Sequence, residues 1–274
     1  FFLAIIALSL HFANIKIKRS LRYFIELSYF GKAYHGWQNQ PNSVSVQELV
    51  ENNLSKILRV SVEIVGAGRT DAGVHAKQMF AHFDVENVLD TELLRYKLNS
   101  MLPKDIAISE IFGVKEDVPV KNEAHARFDA VSRSYEYHIS LQKDPFSKDS
   151  AWFLKHNLDM IRMNSAAAIL MEYSNFKCFS KSRTDVRTYN CRIDEAEWRI
   201  SDDILIFHIT ADRFLRNMVR AVVGTLVEIG QNKNPVSYMH EVIKSENRGK
   251  AGASVPAHGL YLTRIIYPDN IRLD

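Results

Sequence analysis

The order of its hydrophobic patterns restricts this chain more than any other feature: strand, helix, strand, strand, helix, strand, and then the same order again. In the first half, "LRYFIELSYF" (21–30) alternates as a strand does, and "VEIV" (62–65) and "QMFAHFDV" (78–85) read as two more. "SVQELVENNLSKIL" (45–58) pairs Ser45 with Glu48 as a capping box and spaces Val46, Leu49, Val50, Leu54, Ile57 and Leu58 along one helical face. A helix over 91–102 stopped by Pro103 and a strand over 106–114 complete the set. The second half has strands at 134–141, 190–201, 203–211 and 259–267, with helices at 158–173 and 213–229 and a further helical piece at 236–246. No residue-level repeat links the halves.

Two such halves predict an α+β fold of two ferredoxin-like βαββαβ units, their sheets side by side with a cleft between them. The stretch 115–126 is the expected boundary, giving halves at 21–116 and 117–270. Residues 1–20 are expected to lie outside the fold. "FFLAIIALSLHFA" is too short for a membrane span and lacks the charged flank and small-residue cleavage site of a secretory signal. The two cysteines, Cys178 and Cys191, form no CxxC and suggest neither a disulfide framework nor a zinc site. A reducing cytoplasm is therefore the expected setting. The net charge of +3 does not by itself demand nucleic acid, but its distribution is uneven. Lys177, Lys181, Arg183, Arg187 and Arg192 cluster together, and Arg213, Arg216 and Arg220 fall on the expected helix 213–229. Such a set suits either a solvated face or a phosphate-binding groove.

The candidate chemistry lies in "GAGRTDAGVHA" (66–76), between two expected strands. Gly66, Gly68 and Gly73 would allow left-handed backbone and a close approach by ligand. Asp71 among them is either a turn residue bonding its own backbone or a nucleophile, which must be ionised. Arg69 beside it would favour the ionised form. His75 could begin a metal site with Asp71, although no second cluster has ligand spacing. No Gly-Lys-Ser/Thr follows the glycines, so this is not a phosphate loop.

The motif resembles the aspartate motif of the TruA family, tRNA pseudouridine synthases that act on the anticodon stem-loop. Five further stretches match in order: "YHGWQNQPNSVSVQ" (34–47), "HARFDAVSRSYEYHI" (125–139), "CFSKSRTDVRTYNCRI" (178–193), "DRFLRNMVRAVVGTL" (212–226) and "AGASVPAHGLYL" (251–262). The resemblance covers about 21–268; residues 1–20 match nothing in it.

It implies a pseudouridine-synthase-type mixed or antiparallel sheet with a central cleft. By the resemblance Asp71 is the essential nucleophile, attacking C6 of uracil or C1′ of the ribose, with Tyr135 stacking on the base and Arg220 pairing with the carboxylate. Arg69 helps to hold the target base out of the helix, and Leu262 packs in the pocket floor. His75, Lys181, Arg183 and Arg216 complete the expected substrate contacts, with His75 ordering the loop. No cofactor, metal or energy source is implied, since uridine and pseudouridine are isomers. The partners implied are tRNA and a second copy in a homodimer, with no membrane. Without the resemblance, Tyr135 is a half-buried strand aromatic that period two does not separate from Tyr137, and Arg220 is a polar position on an apolar helix. An arginine among Val219, Ala221, Val222 and Val223 still wants a carboxylate. Two rival readings remain: a non-catalytic RNA-binding module, and a metal phosphoesterase using Asp71 and His75.

Overall fold

A computed structural model of the chain describes residues 20–114, 116–117, 122–181 and 186–273. Nearly all of the expected N-terminal extension, much of the boundary segment and Arg183 lie outside the described residues.

The first half comprises β1 (Leu21–Tyr29), α1 (Val46–Leu58), β2 (Val65–Gly66), β3 (His75–Val85), α2 (Thr91–Met101) and β4 (Ile106–Gly113). The two-residue strands β5 (Glu116–Asp117) and β6 (Asn122–Glu123) pair with each other at the boundary. The second half comprises β7 (Ser132–Ser140), β8 (Trp152–Phe153), α3 (Met160–Ile169), β9 (Ile193–Ser201), β10 (Ile204–Ala211), α4 (Met218–Gly230), α5 (Tyr238–Ser245) and β11 (Leu260–Ile266).

Local chemistry sets several of these boundaries. Ser45 Oγ accepts the Glu48 N–H at 3.1 Å, which starts α1 where the capping pattern expects it. Asp90 and Asp159 cap α2 and α3 in the same way. The strand expected over 62–65 shrinks to Val65–Gly66, and β3 starts at His75 rather than Gln78. A larger difference concerns α4, which starts five residues later than its pattern suggests, at Met218 rather than Arg213. Asn217 takes left-handed backbone, φ +67°, and its amide donates to Ser254 Oγ at 2.6 Å, so the preceding segment cannot continue the helix. Of the three arginines expected on this helix, only Arg220 is in it. Arg220 and Glu228 are also the two positions of α4 that are not fully buried, as befits a helix that is apolar almost all round.

The strands form one open mixed sheet in the order β4-β1-β3-β11-β7-β10-β9, with β2 also on β3 and β8 on β7. The order within the first half is β4-β1-β3-β2, and within the second β11-β7-β10-β9. The halves meet where β11 lies parallel to β3, and this joint is short: Tyr261 opposite His75 and Leu262 opposite Ala76. Just beyond it β11 shifts register at Thr263, whose hydroxyl donates to Ser134 O at 3.1 Å. The Gln78 side chain then stands in for a strand, its Oε1 accepting the Ile265 N–H at 2.9 Å. Further along the same edge of β3, β2 takes over opposite Ala81 and His82. The loop bearing Asp71 leaves the sheet between these two partners of β3.

Each half has its own core. Phe24, Leu27, Leu54, Met79 and Phe83 are buried in the first, and Tyr137, Phe179, Phe207, Val222 and Leu226 in the second. Tyr135 packs against both. No helix among the described residues is long and apolar enough to cross a membrane.

A buried histidine in the first half couples this fold to pH. His82 is 4% exposed, accepts the Ala126 N–H at Nδ1 (3.1 Å) and stacks on Phe24. Burial pushes its pKa down to about 4, helped by Arg22 and His125 and opposed by Asp84. Between pH 6.5 and 4 the unfolded chain therefore binds a proton that the native state refuses, and stability falls with pH across that window by at most ~3 kcal/mol. Urea midpoints measured through this range should fall less steeply for His82→Gln than for the original protein. Equal slopes would show that His82 does not carry the effect.

Candidate active site

The segment Ala67–Val74 is held from beneath by residues of 29–37. The Trp37 N–H donates to Thr70 O at 3.2 Å, the Gly73 N–H to Tyr34 O at 3.3 Å, and the Tyr29 hydroxyl meets Thr70 Oγ1 at 2.8 Å. The Val74 N–H closes the turn onto Asp71 O at 3.1 Å. Only part of the expectation about the glycines holds. Gly73 is left-handed, φ +79°, but Gly66 instead makes room for the Trp37 indole, 2.3 Å from where a Cβ would stand, and Gly68 has open space around it. The close backbone approach is supplied from outside the motif by Gly36, whose φ is +91° and whose missing Cβ would lie 2.3 Å from Thr70 O. A side chain there is doubly excluded. Gly36→Ala is expected to lose at least about 1–3 kcal/mol of stability and to displace Thr70 and Asp71, lowering activity as well. A variant with unchanged melting temperature and turnover would contradict this seat for the loop.

His75 ends the loop and is 1% exposed. Its Nδ1 accepts the Gly31 N–H at 2.9 Å, so the neutral ring carries its proton on Nε2, within reach of the carbonyls of His258 (3.0 Å) and Asp149 (3.1 Å). Phe30 and Tyr261 pack on the ring at 4.1 and 4.7 Å between centroids. Burial lowers its pKa, which favours this neutral state. Both nitrogens are thus committed to backbone, and the histidine ties the loop's exit to the second half. Among the described residues no group of three or more His, Cys, Asp and Glu is placed to hold a metal ion.

The Asp71 carboxylate is about one-third exposed, at 32%. Arg220 Nη1 lies 3.3 Å from Oδ2, and Arg216 Nε lies 4.0 Å from Oδ1. Arg69, the neighbour expected to keep the carboxylate ionised, is exposed and forms no ion pair among the described residues. The guanidinium that does the pairing is Arg220 of α4, 149 residues along the chain, the partner that the resemblance implies. Arg220 is itself clamped: Nε donates to Val255 O at 2.7 Å, and its carbonyl accepts the Val255 N–H at 3.3 Å. Ser254 beside it is held by Asn217 (2.6 Å) and Arg248 (2.9 Å). The Arg216 carbonyl accepts the Lys181 N–H at 3.1 Å, which places Lys181 at the same mouth.

Tyr135 is half-buried on β7, opposite Leu262 of β11, with its ring edge-on to Phe214 at 5.1 Å. Burial pushes its hydroxyl up to about 12, so it is neutral at ordinary pH. Tyr137, on the same strand face by period two, is fully buried and donates to Pro256 O at 2.9 Å. That burial separates the two tyrosines where periodicity could not. Leu262 is 2% exposed at the joint of the halves, between Tyr135 and Ala76.

Two residues escaped the sequence reading. Phe214 falls in the stretch expected to be helix yet forms a wall beside Tyr135. Arg133 binds four carbonyls: Nη1 those of Ala130 (3.0 Å) and Asp212 (2.9 Å), Nη2 those of Arg127 (2.6 Å) and Ala67 (3.3 Å). Its position two residues before Tyr135 was the available signal. The assembled site is an accessible carboxylate held by guanidinium groups, beside a neutral aromatic ring, where the two halves part. That arrangement suits nucleophilic attack on a flat, stacked substrate.

A family model described as tRNA pseudouridine synthase matches residues 27–121 and 166–268 of the chain. Asp71, Arg220 and Leu262 fall within the matched blocks, and Tyr135 falls between them. A tRNA pseudouridine synthase A from Parabacteroides distasonis is 50% identical over 251 residues, 91% of this chain and 97% of that relative. The protein of the same name from Azobacteroides pseudotrichonymphae is 51% identical over 248 residues, 90% of this chain and 97% of the relative. One from a Thermoanaerobacter species is 37% identical over 250 residues, 89% and 98% of the two chains.

Proposed function

The chain belongs to the tRNA pseudouridine synthase family, and from that premise we propose that it isomerises uridines 38, 39 and 40 of the tRNA anticodon stem-loop with Asp71 as the nucleophile. Membership makes it an isomerase acting on tRNA. The observation that carries the role of Asp71 is its one-third exposed carboxylate, paired to Arg220 beside Tyr135.

The chemistry asks for such a site. A uridine stacked in a stem exposes neither C6 nor C1′, so it must flip out, at a few kcal/mol. Stacking on Tyr135 offsets about 1–3 kcal/mol of that. Asp71 then attacks C6 or C1′ and the N1–C1′ bond breaks. The detached uracil turns within the pocket and C5 bonds to C1′, N1 gains a proton and C5 loses one. The Asp71 carboxylate leaves, displaced from C1′ by C5 or eliminated from C6 as the C5=C6 double bond reforms. Atoms balance without a cofactor.

Arg220 holds the carboxylate, and Leu262 backs Tyr135 from the adjoining strand. Arg69, exposed and without an ion partner among the described residues, is free to enter the helix where the target base leaves. Lys181, Arg183 and Arg216 meet phosphates, which makes binding salt-dependent. His75 acts through the loop it orders. The strand orders β4-β1-β3-β2 and β11-β7-β10-β9 support reading the halves as ferredoxin-like units. A homodimer in which the second subunit helps to cradle the tRNA belongs to the same proposal.

The test is to incubate the protein with unmodified tRNA in EDTA and map pseudouridine. Conversion at 38–40 is expected. Conversion elsewhere would overturn the site assignment, and phosphate-ester cleavage abolished by EDTA, in place of conversion, would favour the metal phosphoesterase.

A further inference from the structure

Phe128 is an exposed aromatic residue that the chemistry above leaves unused. It is 74% exposed, yet it is not on a loose loop. The His125 N–H donates to Asp129 Oδ2 at 2.6 Å, the Asp129 N–H to His125 O at 3.1 Å, and His125 Nδ1 accepts the Arg127 N–H at 3.0 Å. The Phe128 ring rests tilted on His125 at 4.3 Å, and His125 stands edge-on to the buried His82 at 4.6 Å. The Arg127 guanidinium lies 5.7 Å from the ring centroid. A fixed turn thus presents a large apolar face to water with a cation beside it.

Its place in the fold supplies the second observation. Arg133 Nη2 reaches both Arg127 O (2.6 Å) and Ala67 O (3.3 Å), so one nitrogen joins this turn to the start of the Asp71 loop. Arg133 and Tyr135 share a face of β7, about 7 Å apart. The turn that displays the ring is thus tied through Arg133 both to the strand that carries Tyr135 and to the start of the Asp71 loop.

We propose that Phe128, flanked by Arg127, is a stacking platform for the RNA base next to the flipped uridine. Flipping one nucleotide breaks the stack on both of its sides and bares a neighbouring base face. An aromatic ring with a guanidinium beside it fits such a face whatever the base, because every base has a π surface and the cation meets the backbone charge. This inference rests on the reading of the chain as an RNA isomerase and names a further substrate contact for the same site.

The test uses the full chain and tRNA transcripts carrying 2-aminopurine next to uridine 39, with binding followed on the Asp71→Asn protein to prevent turnover. Phe128→Ala, added to that background, is expected to raise the Kd about tenfold and to relieve part of the fluorescence quench, while Phe128→Trp keeps both. Because the side chain is mostly exposed, the alanine variant should melt as the parent does. Unchanged affinity and quench in Phe128→Ala would overturn the proposal. So would a change in sedimentation with RNA binding intact, which would assign the ring to a contact between copies. If the unsubstituted chain fails to convert uridine in tRNA at all, the isomerase reading falls, and this one with it.

Discussion

Asp71→Asn is expected to slow pseudouridine formation by at least about a thousandfold and to leave tRNA affinity within a few-fold of the original. The substitution keeps the shape of the side chain and removes the charge and nucleophilicity that attack on C6 or C1′ requires. The fold should survive, because the turn is held by main-chain bonds: Val74 N–H to Asp71 O, Trp37 N–H to Thr70 O and Gly73 N–H to Tyr34 O. None of these uses the carboxylate. Single-turnover conversion of unmodified tRNA, read beside a binding isotherm, separates the possibilities. A variant as active as the original would make Asp71 a turn residue and end the mechanism. A variant that neither binds nor reacts, with a lowered melting temperature, would mean the carboxylate is structural.

The second large effect is expected at Arg220. Its guanidinium has two tasks, an Nε bond to Val255 O and an Nη1 contact with Asp71. Arg220→Ala leaves a partly buried carboxylate without its nearest cation and a carbonyl without its donor. The expected result is about a hundredfold or greater loss of turnover and about 1–3 kcal/mol of stability. Arg220→Lys keeps the charge but offers one ammonium in place of a planar fork, so it cannot hold both partners and should remain clearly impaired. Full activity in the lysine variant would mean that charge alone is needed. If the residues act as a unit, the Asp71→Asn and Arg220→Ala losses will be far from additive in the double variant. Additive losses would separate their roles.

How much of this was legible beforehand depends on the range of the interaction concerned. The capping box at Ser45 and the apolar stripe of α1 announced that helix, because a cap and a periodicity are properties of neighbouring residues. The start of α4 was misjudged for the same reason. Its apolar pattern runs back to Phe214, while what stops the helix is the left-handed backbone at Asn217 and a bond to Ser254 from a distant segment. The Asp71 loop was recognisable, but its glycines were credited with freedom that belongs mainly to Gly73 and to Gly36 in another segment.

The sequence by itself determined the element order, the loop that carries the carboxylate and, through the resemblance, the residues expected around it. The resemblance names Arg220 as the partner of Asp71 and Tyr135 as the stacking ring. The geometry that joins Arg220 to Asp71, the burial that separates Tyr135 from Tyr137 and the place where the halves part were decided only in the tertiary structure. Arg69 is two residues from Asp71 and forms no ion pair with it, whereas Arg220 comes from 149 residues away. Tyr135 stays half-open because it lies at the joint of two cores, and Tyr137 closes because its hydroxyl finds Pro256. Periodicity records which face of an element is apolar. What that face meets depends on strand register, here the two-residue pairing of β11 with β3, and no local pattern encodes such a register.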